Sequence, residues 1–230
     1  MKKILFFLLF VLSIQAKAQV LNLLGNDNSG FYLLGGTTFA SDFTGIHPMA
    51  GISFKGKFDL EAVLYRDKYQ QAKRNLLDNN ASSQLPGVYL TWWFLRKSPA
   101  PFIDINIGLK PGFEFSKYKN YRYILPENGN TVNYKQMSAA IIGWNTDVVL
   151  HLNETWWLQP SYVFAYELGQ EKLNEQGIDK TNAISEAFSC IAITLAKKFT
   201  KGDAAFATCK QYFVGSGTFY NIEFGYVMPF

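Results

Sequence analysis

The sequence predicts an all-β protein: a transmembrane, antiparallel, up-and-down β-barrel of ten strands, with eight as the alternative. Three observations predict it. Apolar and polar residues alternate with period two through segments longer than soluble strands, which average about five or six residues. Short connections alternate with long polar ones along the chain. The segment Tyr220 to Phe230 places Tyr220, Ile222, Phe224, Tyr226, Met228 and Phe230 on one face of a strand. Such a stripe suits the lipid side of a barrel's closing strand.

The N-terminal region reads as a targeting segment. Lys2 and Lys3 precede an apolar run from Ile4 to Val11, and Ala16-Lys17-Ala18 supplies a small-x-small cleavage pattern. The run is too short for a spanning helix. Cleavage is expected after Ala18, leaving Gln19 first and residues 19–230 as a single outer-membrane barrel domain. No Cys stands at that site, which excludes a lipoprotein. Residues 1–18 hold three lysines and no acid, so the formal charge of +4 falls to +1 in the mature chain. The basic balance is therefore a targeting feature and gives no ground for nucleic-acid binding.

The strands follow in order. Phe31 to Phe39 and Ala50 to Phe54 alternate least cleanly. Phe58, Leu60, Ala62 and Leu64 oppose Asp59, Glu61 and Tyr65. Val88, Leu90, Trp92 and Phe94 oppose Gly87, Tyr89, Thr91 and Trp93. Phe102 to Phe115 is cleanest: Ile103, Ile105, Ile107, Leu109, Phe113 and Phe115 oppose Asp104, Asn106, Gly108, Lys110, Gly112 and Glu114. That length matches the nine to eleven residues or so a tilted membrane strand needs. Ala140 to Leu152, Trp156 to Leu168 and Ile191 to Phe199 repeat the pattern. A last hairpin runs Ala204 to Val214, turns at Gly215-Ser216-Gly217, and returns from Thr218 to Phe230. That Gly-x-Gly precedes no helix and is no dinucleotide fingerprint.

Lys55-Gly56-Lys57, Arg96 to Pro101, Asn153-Glu154 and Thr200 to Asp203 are short connections. The stretches 67–85, 116–135 and 169–183 are long and polar. Short turns on the periplasmic side and long loops outside is the outer-membrane arrangement.

Within the terminal stripe, Glu223, Gly225, Met228 and Phe230 resemble the C-terminal assembly signal of Gram-negative outer-membrane proteins. Together with the targeting segment, they make the chain similar to the small outer-membrane barrel group that includes OmpA-type and OmpX-type proteins. The resemblance implies export to the bacterial outer membrane. It also implies contact with outer-membrane lipid and lipopolysaccharide, and reading of the signal by the barrel-assembly machinery. It names no activity, because that group holds structural, adhesive, pore-forming and secretion-associated members.

The inward face is rich in charge, with Asp104, Lys110, Asp147, Glu167 and Glu223 expected to line the lumen, alongside Asp59, Glu61, Glu114, His151, Glu186 and Lys198. Buried charges need partners, so an ion-paired plug is the structural reading and a selective pore the alternative. A barrel of about eight strands has an interior that side chains just fill. No catalytic, metal or cofactor residues are expected. Barrel acyl hydrolases use a His-x-Ser pair, and here His151-Leu152-Asn153 has Asn in the Ser position. His47 precedes Pro48 in an expected short loop. The two cysteines, Cys190 and Cys209, flank the Thr200 turn, and a bridge between them stays open. Trp92 and Trp156 fall on lipid faces and suit an interfacial aromatic girdle. The run Lys117 to Tyr123 alternates base and aromatic. It reads as an extension of neighbouring strands or as a contact for lipopolysaccharide phosphates.

Two function classes remain from sequence: a non-enzymatic barrel acting through long extracellular loops, and a passive small-solute channel. An accessory barrel of a secretion or conjugation complex is a third.

Overall fold

The computed structural model describes residues 29–70, 77, 80–124, 129–199, 202–214 and 217–230. The expected signal peptide, Thr200-Lys201 and Gly215-Ser216 lie outside the described residues. Among the described residues every regular element is a strand: β1 (Gly30–Phe39), β2 (Phe43–Phe54), β3 (Phe58–Tyr69), β4 (Ser82–Ala100), β5 (Ile103–Lys119), β6 (Arg122–Ile124), β7 (Thr131–His151), β8 (Trp156–Glu175), β9 (Ile178–Lys198), β10 (Ala204–Val214) and β11 (Gly217–Pro229). Neighbours pair antiparallel, β1 closes on β11, and β5 closes on β7 past the three-residue β6. Ten strands therefore form one closed barrel, and the eight-strand alternative is excluded. Closure leaves no sheet edge, so strand backbone between the rims is paired with its neighbours without water, save at local ladder gaps.

The register sets the bore. Gly30 faces Ser53, then Asp59, then Thr91 on successive strands. Thr91 lies level with Lys110, which faces Gly143, Ala165, Phe188, Val214 and Gly217 in turn. Extending the β11–β1 register brings Gly217 level with Asp42, so one circuit climbs twelve residues from Gly30. Ten strands with that climb tilt by about 40° and enclose a cylinder of about 10 Å radius, measured to the backbone. Two opposed layers of side chains fill most of such a cylinder.

Burial is inverted relative to a water-soluble protein. Inward residues such as Glu61, Asn145, Asp147 and Glu223 are fully buried, while Leu33, Val88, Phe113, Ile142, Phe164 and Phe224 are exposed on the outer wall. Each such side chain is worth about 1.5–3 kcal/mol on leaving water. An outer wall built of dozens of them would cost tens of kcal/mol in water, so the wall belongs in lipid. The faces read from sequence for 58–64, 88–94, 103–115, 156–168, 191–199 and 220–230 are the observed ones.

Strand lengths differ from the sequence reading. β1, β2, β3, β10 and β11 have 10 to 13 residues, whereas β4, β5, β7, β8 and β9 have 17 to 21. At about 3.3 Å per residue, one wall stands roughly 20 Å taller than the other along the barrel axis. The stretch 169–183 is therefore no loop. β8 and β9 continue through it and turn at Gln176-Gly177, both with positive φ. That is the mirror-image two-residue turn whose twist matches a hairpin. Beyond the lipid the outer face carries Gln170 and Lys172, so alternation of polarity disappears while the strand goes on. Likewise Arg96 to Ala100 belongs to β4, and Lys117 to Lys119 extends β5. Lys55-Gly56 makes a second mirror-image turn, closed by Lys57 N–H donating to the Phe54 carbonyl at 3.0 Å.

His47 is also re-placed. It sits inside β2, fully buried and facing inward. The β2–β3 ladder has a gap at His47 and Pro48, where Pro48 lacks a donor, and the strand continues past it.

Candidate functional site

The interior is organised by glycines that let side chains from alternate strands meet. Gly36 faces His47 on one side and Glu223 on the other. A Cβ at Gly36 would collide with both side chains. Through that gap His47 Nε2 and Glu223 Oε1 come to 3.0 Å, and Lys210 Nζ reaches the same oxygen at 2.5 Å. All three side chains have 0 % exposure, so water does not touch them. Gly51 plays the same part between Tyr32 and Glu61, which it faces on either side. The Tyr32 hydroxyl donates to Glu61 at 2.5 Å, and Lys110 pairs with the second Glu61 oxygen. We expect Gly51→Val to collide with the Tyr32 ring and destabilise the refolded barrel by about 1–3 kcal/mol in urea titrations.

Aromatic rings also lie over facing glycines: Tyr89 over Gly112, Trp93 by Gly108 and Phe206 over Gly225. This gives Gly225, an expected assembly-signal residue, a packing role, since a Cβ there would meet the Phe206 ring. The neighbouring signal residues divide between faces. Glu223 points in, while Phe230 points out and packs on Phe31 at 6.5 Å. Met228 lies on the outer face, half-buried.

The other expected lumen residues separate by height. Lys110 is in the Glu61 cluster. Asp147 accepts from Gln159 Nε2 at 3.0 Å, and Glu167 is fully buried opposite Glu186. Asp104 lies at the rim of the short turns, where His151 Nε2 and its Oδ2 are 2.8 Å apart. Asp59 accepts from Trp93 Nε1 at 2.7 Å. Sequence reasoning missed His47 and Lys210. Lys210 alternates in phase with Phe206, Thr208 and Tyr212, so inward placement was readable once β10 was aligned.

The mouth opposite the short turns is lined by contiguous rings. Tyr123 stacks on Tyr134 at 5.7 Å, Tyr121 packs on Tyr69 at 4.7 Å, and Tyr69 packs on Phe43 at 6.0 Å. Phe43 continues to Phe219 at 6.0 Å, which stacks on Tyr212 at 4.4 Å. These rings are all buried and form one contiguous layer inside the barrel. The tyrosines of the 117–123 run thus point inward, and its lysines point out. Above the layer, Asp179 accepts from Asn174 and Lys135, both at 2.7 Å. The Asn174 hydrogen bond, then the Lys135 hydrogen bond and charge, hold its carboxyl below the usual range.

Cys190 and Cys209 are free thiols. They sit on opposite faces, Cys190 buried inward and Cys209 exposed outward, and Cys190 faces Tyr212 instead. A bridge across the barrel wall is sterically excluded. Among the described residues no cluster of three His, Cys, Asp or Glu side chains has metal-binding proximity.

No known protein family matches the chain, and no curated protein matches its sequence. Solved structures do match. The translocator domain of the autotransporter NalP from Neisseria meningitidis superposes with a TM-score of 0.51 at 10 % identity, covering 92 % of each chain. The outer membrane protease OmpT from Escherichia coli gives 0.48 at 9 % identity, over 88 % of this chain and 96 % of that one. The COG4313 outer membrane channel from Pseudomonas putida F1 gives 0.48 at 11 % identity, over 94 % of this chain and 100 % of that one. This chain has the fold of an outer-membrane β-barrel. At such identities the likeness concerns fold alone, and the barrel's activity has to be argued from its own residues.

Proposed function

We propose that this protein is a non-enzymatic barrel of the Gram-negative outer membrane that acts through its projecting wall, with a lumen that carries no solute. The filled interior supports this reading most strongly. A water path would have to part the Glu223–Lys210–His47 cluster and the Glu61–Lys110 pair, and then open the aromatic layer. Both ion-paired groups are buried away from water and hold each other in place. The upper ends of β7, β8 and β9, with the last residues of β5, continue as paired strands past the apolar band, a suitable platform for an external partner. Biogenesis through the barrel-assembly machinery is part of this reading, supported by Glu223, Gly225 and Met228 on the terminal strand and Phe230 directly after it.

Planar-bilayer recording tests the reading. Mature protein that is folded by heat-modifiable gel mobility should be electrically silent. Discrete, ion-selective steps would make it a channel instead.

A further inference from the structure

Charge is sorted by face along the wall. Among the described strand residues, Asp179 is the one carboxylate on the outward face, and Lys135 holds it at 2.7 Å. Asp59, Glu61, Asp67, Glu114, Glu171 and Glu223 all point inward and are buried. Arg66, Lys68, Lys117, Lys119 and Lys172 point outward and are exposed.

These bases are aligned. Arg66 faces Gln84, Gln84 faces Lys117, Lys117 faces Gln136, and Gln136 faces Lys172. The row therefore alternates base and amide across five adjacent strands, with successive bases about 10 Å apart. A second tier repeats it, since Ser82 faces Lys68 on one side and Lys119 on the other. Two residues below Arg66, Gln84 and Lys117 the outer face becomes Leu64, Pro86 and Phe115, while Gln136 and Lys172 stand over Ser138 and Gln170. The ledge thus starts where the lipid band ends, on the side away from the short turns, and follows the tilt of the ladder upward by about 12 Å from Arg66 to Lys172. An outward groove of 490 Å³ adjoins it, lined by Ile46, Arg66, Lys68 and Gln84 among others. Ile46 is 55 % exposed and faces Arg66 directly. An exposed apolar side chain beside these cations fits an amphiphile bearing phosphate.

We infer that the row Arg66, Lys117 and Lys172 is a docking ledge for the phosphates of lipid A, the outer-leaflet glycolipid. The inference rests on the outer-membrane reading above. Arg66 can hold a phosphate bidentately, and Gln84 and Gln136 offer amide donors between the cations. A glycolipid with two phosphates engages neighbouring bases of the row together, which a phospholipid with one phosphate does not.

The test places folded protein in nanodiscs of phosphatidylethanolamine containing diphosphoryl lipid A, dephosphorylated lipid A or phosphatidylglycerol, and measures retained lipid by native mass spectrometry. The wild type should retain diphosphoryl lipid A selectively. Arg66→Gln/Lys117→Gln/Lys172→Gln should weaken retention about 100-fold, taking the usual contribution of a basic residue near an anionic membrane surface. Dephosphorylated lipid A should be lost equally. Unchanged retention by the triple variant would overturn the ledge, as would equal retention of phosphatidylglycerol. Displacement of lipid A by millimolar inorganic phosphate would assign the site to free phosphate and overturn lipid docking. In each of these cases a heat-modifiable band keeps the barrel reading intact. A wild type that yields no such band in nanodiscs would overturn the outer-membrane reading, and the ledge with it.

Discussion

Glu223→Ala is expected to destabilise the folded barrel by about 3–5 kcal/mol, the largest effect of any single substitution considered. Glu223 is the anion shared by Lys210 at 2.5 Å and His47 at 3.0 Å. Removing it leaves the Lys210 ammonium in a site with no water and no other carboxylate within ion-pairing distance among the described residues. The cost is that of stranding a buried charge. Urea titration of protein refolded in detergent micelles measures it without involving the cellular assembly machinery, which separates stability from any loss of the terminal signal. Glu223→Leu/Lys210→Met should recover most of the loss, because removing both charges removes the desolvation problem. A double variant no better than Glu223→Ala would show that the pairing is not what the residue supplies.

Phe224→Arg is expected to cost about 2–4 kcal/mol, because a cation on the lipid face is penalised by depth. Phe224 is 65 % exposed on the outer wall of β11, midway between Tyr220 and Met228. Tyr220 sits higher on the same strand, opposite Gln211, whose amide donates to its hydroxyl at 3.4 Å. Tyr220→Arg at that interfacial height should cost only about 0–1 kcal/mol. Folding yields into vesicles compare the two. Equal costs would mean that β11 does not cross a hydrocarbon layer in this orientation.

The parts of the fold readable in sequence are those where lipid imposes a rule. Over 103–115 of β5 and 220–228 of β11 every second residue is apolar because one face meets hydrocarbon, and alternation alone assigns both faces. The final hairpin, 204–214 with 217–229, followed from its glycine turn. The hairpin around Gln176-Gly177 looks like a loop in sequence because above the lipid both faces are wet and polarity stops alternating. β2 was truncated because Pro48 reads as a break, although a single missing donor costs one rung and not the strand. The lumen residues were legible as inward-facing, but their partners were not. Which side chain meets which depends in part on Gly36 and Gly51, which open gaps between strands two apart. That needs the register of three strands at once, and a period of two carries no register. The basic row is hidden for the same reason. Arg66, Lys117 and Lys172 are far apart in sequence and become neighbours only through pairing.

The most direct test uses the adjacent residues Trp92 and Trp93, which face lipid and lumen respectively. Trp92 is 48 % exposed on the outer wall, and Trp93 is 3 % exposed and bonded to Asp59. Variants retaining one or the other as the sole tryptophan would be folded into vesicles, and fluorescence quenching measured with brominated lipid and with aqueous iodide. An inside-out barrel with a filled lumen predicts that brominated lipid quenches Trp92 and that neither agent quenches Trp93. Quenching of Trp93 by iodide would mean a water-filled lumen, and quenching of Trp93 by brominated lipid would mean that the faces are reversed.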